Sequence, residues 1–159
     1  MLFRSVNGAA FGAGFALMLA CDIMIAADDA YFVMPEIDVG LAGGAGFLMQ
    51  HFGKSMARYM YLTARRIPAA ELYRLGVISA CVPREKLMDE AMTIAREIAA
   101  KSPKAVREIK RAFNVVEEMP TRDAYRFEQT VTVALSQTED TKEAQRAFVE
   151  KRKPVYQGR

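Results

Sequence analysis

Two features of this 159-residue chain have the types and spacing that do chemistry: a glycine loop and a carboxylate downstream of it. Gly8, Gly12 and Gly14 lie in VNGAAFGAGFALMLACD, residues 6–22, where a permissive loop runs straight into an apolar segment. Such glycines let a backbone approach a partner closely, because no Cβ intervenes. The loop carries no lysine to hold a phosphate. A Walker A loop needs G-x-x-x-x-G-K-[ST]; Gly53-Lys54-Ser55 supplies the tail, but Leu48 stands where the first glycine belongs. The spacing of Gly8, Gly12 and Gly14 is G-x-x-x-G-x-G, which is not the Rossmann fingerprint. A nucleophile elbow, G-x-S-x-G, does not occur. Two readings of the spacing remain open. Backbone N–H groups at a helix start can stabilise an oxyanion as it forms, without any side chain. Alternatively, the glycines simply allow tight packing of a helix on a strand. Glu36, in MPEI, follows Pro35; taken alone, a glutamate in that place serves a turn or a helix start as readily as it serves as a base.

The other reactive side chains point to structural roles. His51 has no cysteine or second histidine near it, so no metal site is expected. Cys21 and Cys81 lie far apart in apolar surroundings and form no CxxC pair; buried, reduced thiols are expected, as in a cytoplasmic protein. Asp38 reads as solvated or structural.

The elements that must position these groups follow from periodicity. LFRSV, residues 2–6, reads as a strand entering the glycine loop, and Gly14 to Cys21 as a helix apolar nearly all round, to be packed on most sides. DIMIAA and YFVM read as short buried strands, the second stopped by Pro35. Strand, glycine loop, helix, strand is α/β alternation. A second permissive loop, IDVGLAGGAG, leads into FLMQHF as a helical run, KSMARYMYLTA as a helix, PAAELYRLG as another closed by Gly76, and VISACV as a strand. Leu87, Ala91, Ile94, Ala95 and Ile98 share one helix face. Ser102-Pro103 is a helix start, with Val106, Ile109, Phe113 and Val116 as the next apolar stripe, and helices near 122–137 and 140–152 finish the chain.

The net charge of +3 is modest, and the basic residues interleave with acidic ones, so neither nucleic acid nor a membrane surface is an expected partner. No run reaches the 20 or so apolar residues that span a bilayer, since Asp22 interrupts the stretch from Phe11 to Ala27, and MLFRSVNG lacks the long apolar region expected of a secretory signal.

VNGAAFGAGFALMLACDIMIAADDAYFVMPEIDVGL followed by GGAG resembles the enoyl-CoA hydratase/isomerase family, the crotonases. The resemblance continues through TARRIPAAELYRLGVISACVP and TEDTKEAQRAFVEKRKPVY and covers essentially the whole chain. It implies an α/β crotonase-like fold, a ββα spiral-type core incomplete at the N-terminus over residues 1–83, and a helical region over 84–159 for oligomerisation and CoA contacts. It also implies an acyl-CoA or enoyl-CoA thioester as substrate with no further cofactor, chemistry of the kind met in fatty-acid metabolism, and a homotrimer or a pair of trimers. The Ala13 N–H matches the family's oxyanion donor, Glu36 its retained catalytic glutamate, and Phe148 and Lys151 match positions that touch the CoA nucleotide, often in a neighbouring subunit. Packing on adenine suits Phe148, and pairing with phosphate suits Lys151; an ordinary amphipathic helix would instead turn Phe148 inward.

Two departures sharpen the expectation. Where family hydratases carry a glutamate in the helix after the glycine loop, this chain has Ala16. Hydration uses acid and base groups around one water, whereas moving a double bond needs one group that removes a proton and returns it elsewhere. Double-bond isomerisation by Glu36 is therefore expected, with hydration as the alternative. Family members also carry an N-terminal region, lacking in these residues, that supplies a second oxyanion N–H and much of the CoA pocket. Removing one such donor lowers rate by about 10²–10³. From another class of function comes a truncated, non-catalytic CoA-ester binder or assembly partner.

Overall fold

The computed structural model describes residues 3–159, so Leu2 of the expected first strand lies outside the described residues. Strand β1, Phe3–Val6, pairs in parallel with β3, Ile23–Ala27, which pairs in parallel with β6, Ala80–Val82. Met24 to Ala27 are all buried, as a central parallel strand covered on both faces requires. Between β1 and β3 come the short strand β2, Ala10–Phe11, and helix α1, Ala13–Leu19.

A second sheet sets the glycine loop in place. β2 pairs in parallel with β4, Tyr31–Val33, matching Phe11 to Val33, and β4 pairs antiparallel with β5, Ile67–Pro68. Two-residue strands carry too little period to be read from a sequence, and neither β2 nor β5 was expected. α1 buries Phe15, Met18 and Leu19, an i, i+3, i+4 stripe, and exposes Leu17, so it is packed on one face rather than on most sides. The Phe15 ring lies 5.1 Å from that of Phe32 on β4 and 6.4 Å from that of Phe52, which fixes the helix over the second sheet.

After β4 the chain makes a 3-10 turn, Glu36–Val39, then α2, Ala45–His51, α3, Lys54–Thr63, and α4, Ala69–Arg74. α2 begins two residues before the expected Phe47, because Gly44, with φ 75°, turns the chain into the helix. Only the last part of VISACV is strand, although Val77 and Ile78 are buried beside it.

The chain divides into two compact units, residues up to Thr93 and Ile94–Arg159, the division falling inside α5, Leu87–Ala99. The second unit holds α6, Pro103–Val116, α7, Thr121–Ser136, and α8, Glu139–Val149. Ser102 caps α6 as its spacing predicts, its hydroxyl accepting from the Ala105 N–H at 3.2 Å. The apolar stripe on α6 is only partly covered, since Ile109 is 40% and Phe113 57% exposed. Among the described residues, no helix is long and apolar enough to cross a membrane.

Candidate active site

Gly12 joins β2 to α1 with φ 49°, a left-handed value that favours glycine. Its N–H donates to the Val33 carbonyl at 2.9 Å, so the loop is tied to the strand that leads into Glu36. The two chain segments then converge. A Cβ placed on Gly12 would lie 2.5 Å from Glu36 Oε1 and 3.4 Å from its Cδ, closer than packing allows. The carboxylate therefore rests directly on the glycine backbone. Two residues of β-pairing and one short turn bring together groups 24 positions apart (36 − 12).

Glu36 Oε2 is buried and has no hydrogen-bond partner among the described residues. Buried polar atoms in folded proteins almost always find a partner, and an exception calls for a reason. A carboxylate oxygen with its lone pairs unused is chemically able to accept a proton.

Ala13 opens α1, directly after Gly12. The first N–H groups of a helix have no carbonyl within the helix to bond to, and Ala13 contributes the first of them. The Ala13 residue is exposed, which leaves its backbone approachable. Ala16, one turn on, faces the second glycine loop: a Cβ on Gly44 would sit 3.9 Å from the Ala16 Cβ and 2.6 Å from Met34 Cε. Position 16 thus holds a methyl, not a carboxylate, beside Gly44.

One contributor has no signal in the sequence. The Tyr61 hydroxyl accepts the Gly43 N–H at 2.7 Å and donates to the Gly43 carbonyl at 2.9 Å. This single side chain on α3 satisfies both backbone groups of Gly43 in the second glycine loop, and only the fold reveals it. Asp38 is exposed on the 3-10 turn. His51 Nδ1 lies 2.9 Å from the Phe47 carbonyl, an intrahelical bond of a structural kind.

Phe148 and Lys151 belong to the second unit. Phe148 is 86% exposed, and the inward position on α8 is taken by Ala147, so the inward alternative for Phe148 does not hold. Lys151 lies beyond the helix rather than within it. Its φ is 53°, and the next N–H, that of Arg152, returns to the Ala147 carbonyl at 3.0 Å, the bond of a Schellman stop. Arg152 is gripped from two sides. It makes paired bonds to Glu143, at 2.5 and 3.0 Å, and its Nε donates to Glu150 at 2.5 Å. Glu143 also accepts the Val155 N–H at 3.0 Å. The Arg152 hydrogen bonds, with that from Val155, hold the Glu143 carboxyl down at about 2.

Asp140 anchors the end of the chain. Its carboxylate accepts from the Ser102 hydroxyl at 2.7 Å and from the N–H groups of Gln157 and Gly158 at 2.8 and 3.1 Å. Burial would raise the Asp140 pKa, but these donors outweigh it and keep the group below its ordinary value.

Comparison with known proteins gives a consistent result. A family model described as enoyl-CoA hydratase/isomerase matches residues 2–159. Carnitinyl-CoA dehydratases of Escherichia coli K12 and Citrobacter koseri are each 35% identical over 99% of this chain. The chain spans 63% of the length of each of them. Among solved structures, an enoyl-CoA hydratase/isomerase from Mycobacterium paratuberculosis superposes with a TM-score of 0.94 at 33% identity, covering 99% of this chain and 64% of that one. Subunit I of an enoyl-CoA hydratase from Geobacillus kaustophilus gives 0.90 at 38% identity, covering 96% and 61%.

Proposed function

The chain belongs to the enoyl-CoA hydratase/isomerase family, with its crotonase-type α/β fold, and on that footing we propose that the protein acts on an enoyl-CoA thioester with Glu36 as its proton-transferring group. The observation that carries this reading is the Glu36 carboxylate, seated on Gly12 with Oε2 buried and unpartnered. In a 3-enoyl thioester the protons on carbon 2 lie between carbonyl and double bond and are the acidic ones. Glu36 removes one, the electron pair passes to the thioester oxygen as a dienolate, and the same carboxyl returns the proton to carbon 4. The product is the conjugated 2-enoyl thioester, with nothing gained or lost. The Ala13 N–H is the donor for the oxygen as its charge grows. Ala16 leaves a single glutamate for the work, which suits isomerisation.

Hydration, or the reverse loss of water, is the second reading, favoured because the matched relatives bear the name carnitinyl-CoA dehydratase. For the nucleotide end of the substrate, the reading assigns Phe148 to the adenine and Lys151 to a phosphate.

One assay separates the outcomes. The purified protein is given 3-enoyl-CoA, and growth of the conjugated product is followed by ultraviolet absorbance. Glu36→Gln keeps the shape of the side chain but cannot accept the proton, so kcat is expected to fall by about 10²–10⁴ with the melting temperature little changed. Water addition to 2-enoyl-CoA without isomerisation would favour the second reading. Equal rates for wild type and Glu36→Gln would remove the assignment of Glu36.

A further inference from the structure

Among the described residues, only Ala64 and Lys151 hold positive φ without being glycine, and both end helices. A lysine in that conformation is disfavoured by its Cβ, and a glycine there would relieve the strain. Lys151 is kept in it by its surroundings. Arg152, next in sequence, is locked by its fork onto Glu143 and by the bond from its Nε to Glu150. Glu143 also holds the Val155 N–H, so one carboxylate fastens the chain just after Lys151 at two points. Among the described residues no ion pair engages the Lys151 ammonium itself, and Phe148, one turn earlier, stands exposed. Strained backbone that is over-determined by its neighbours points to a side chain whose direction matters.

We propose that Glu143 and Arg152 are positioning residues for Lys151, holding its backbone left-handed so that the ammonium is presented to a phosphate of the coenzyme A nucleotide. Neither touches the ligand; both act through the lysine. The inference rests on the assignment of Lys151 to that phosphate. What it adds is that affinity depends on a clasp lying outside the contact.

The test is a double-mutant cycle read by calorimetric titration with coenzyme A, using wild type, Lys151→Ala, Glu143→Gln and the double variant. Lys151→Ala and Glu143→Gln are each expected to weaken binding by about threefold to tenfold, and the double variant to bind no more weakly than Lys151→Ala alone. A residue that merely stabilised α8 would not produce that non-additivity. Arg152→Lys, which keeps the charge but loses the fork, is expected to match Glu143→Gln and serves if the latter does not fold. Wild-type affinity in Glu143→Gln and Arg152→Lys, with Lys151→Ala weakened, overturns the clasp and leaves the role of Lys151 standing. Losses that simply add in the double variant overturn it as well. Unchanged binding in Lys151→Ala, or no binding by wild type, removes the phosphate assignment and the clasp with it.

Discussion

At position 12 two demands coincide that glycine alone meets. Its φ of 49° lies where a Cβ is strained, and the space a Cβ would take is filled by Glu36 Oε1 at 2.5 Å. Pro35 and the 3-10 turn fix the Glu36 backbone beside β4, so the end of its flexible side chain is the part that would give way. Gly12→Ala is therefore expected to displace the carboxylate and lower kcat on 3-enoyl-CoA by about 10² or more, since a misplacement of about 1 Å costs about that much. Paired measurement of kcat and melting temperature checks this: a lower melting temperature with unchanged kcat would show that the contact is packing alone. The Ala16 methyl is informative at the same scale. It lies beside Gly44 of the second glycine loop, so a methyl rather than a carboxyl occupies that position.

At the scale of elements, short strands do most of the positioning. β2 is two residues long, yet its pairing with β4 and the Gly12 bond to Val33 set the loop against Glu36. The end of α8 shows a different device, in which charged side chains hold an irregular segment. Glu143, whose ordinary value is 4.5, sits at about 2 chiefly because of its bonds to Arg152, followed by that from the Val155 N–H. A carboxyl depressed in the folded state binds fewer protons there than in the unfolded chain. Its contribution to stability is thus complete above about pH 4.5 and is lost as pH falls through about 2. The amide resonance of Val155, followed by NMR during acidification, is expected to hold its native position through pH 4.5 and to move only near 2. A midpoint near 4.5 would show that the clasp does not persist in solution.

For the whole molecule, stability and association are separate questions. The centre of the first unit is aromatic and aliphatic, with Phe15, Phe32 and Ile25 fully buried. Phe32 packs against Phe15 from β4, the strand that also anchors the loop, so Phe32→Ala is expected to cost about 3–5 kcal/mol. A shift of the urea midpoint with little change in slope is the expected result; a loss below about 1 kcal/mol would mean that the site collapses around the missing ring. The homotrimer or hexamer implied by the resemblance remains a proposal for the whole protein. It is motivated here by large apolar side chains left open on the second unit, among them Phe113 and Phe148. Sedimentation at micromolar concentration is expected to give a multiple of the chain mass, and a monomer would contradict it.

The sequence by itself determined the family, the α/β class and most of the helices. Those depend on patterns local to the chain: apolar spacing, the Ser102-Pro103 start, and glycine motifs in unbroken order. It also singled out Glu36, through a motif rather than through any property of the residue. Only the tertiary structure decided how that glutamate is held. Its contact with Gly12, the two-residue pairing of β2 with β4, and the Tyr61 hydroxyl on Gly43 join residues distant in sequence, and no local period encodes such meetings. The same holds for Lys151, whose turn out of α8 follows from Arg152 being held by Glu143 nine positions earlier. Local preference favours glycine at that turn, and the side-chain contacts around it override that preference.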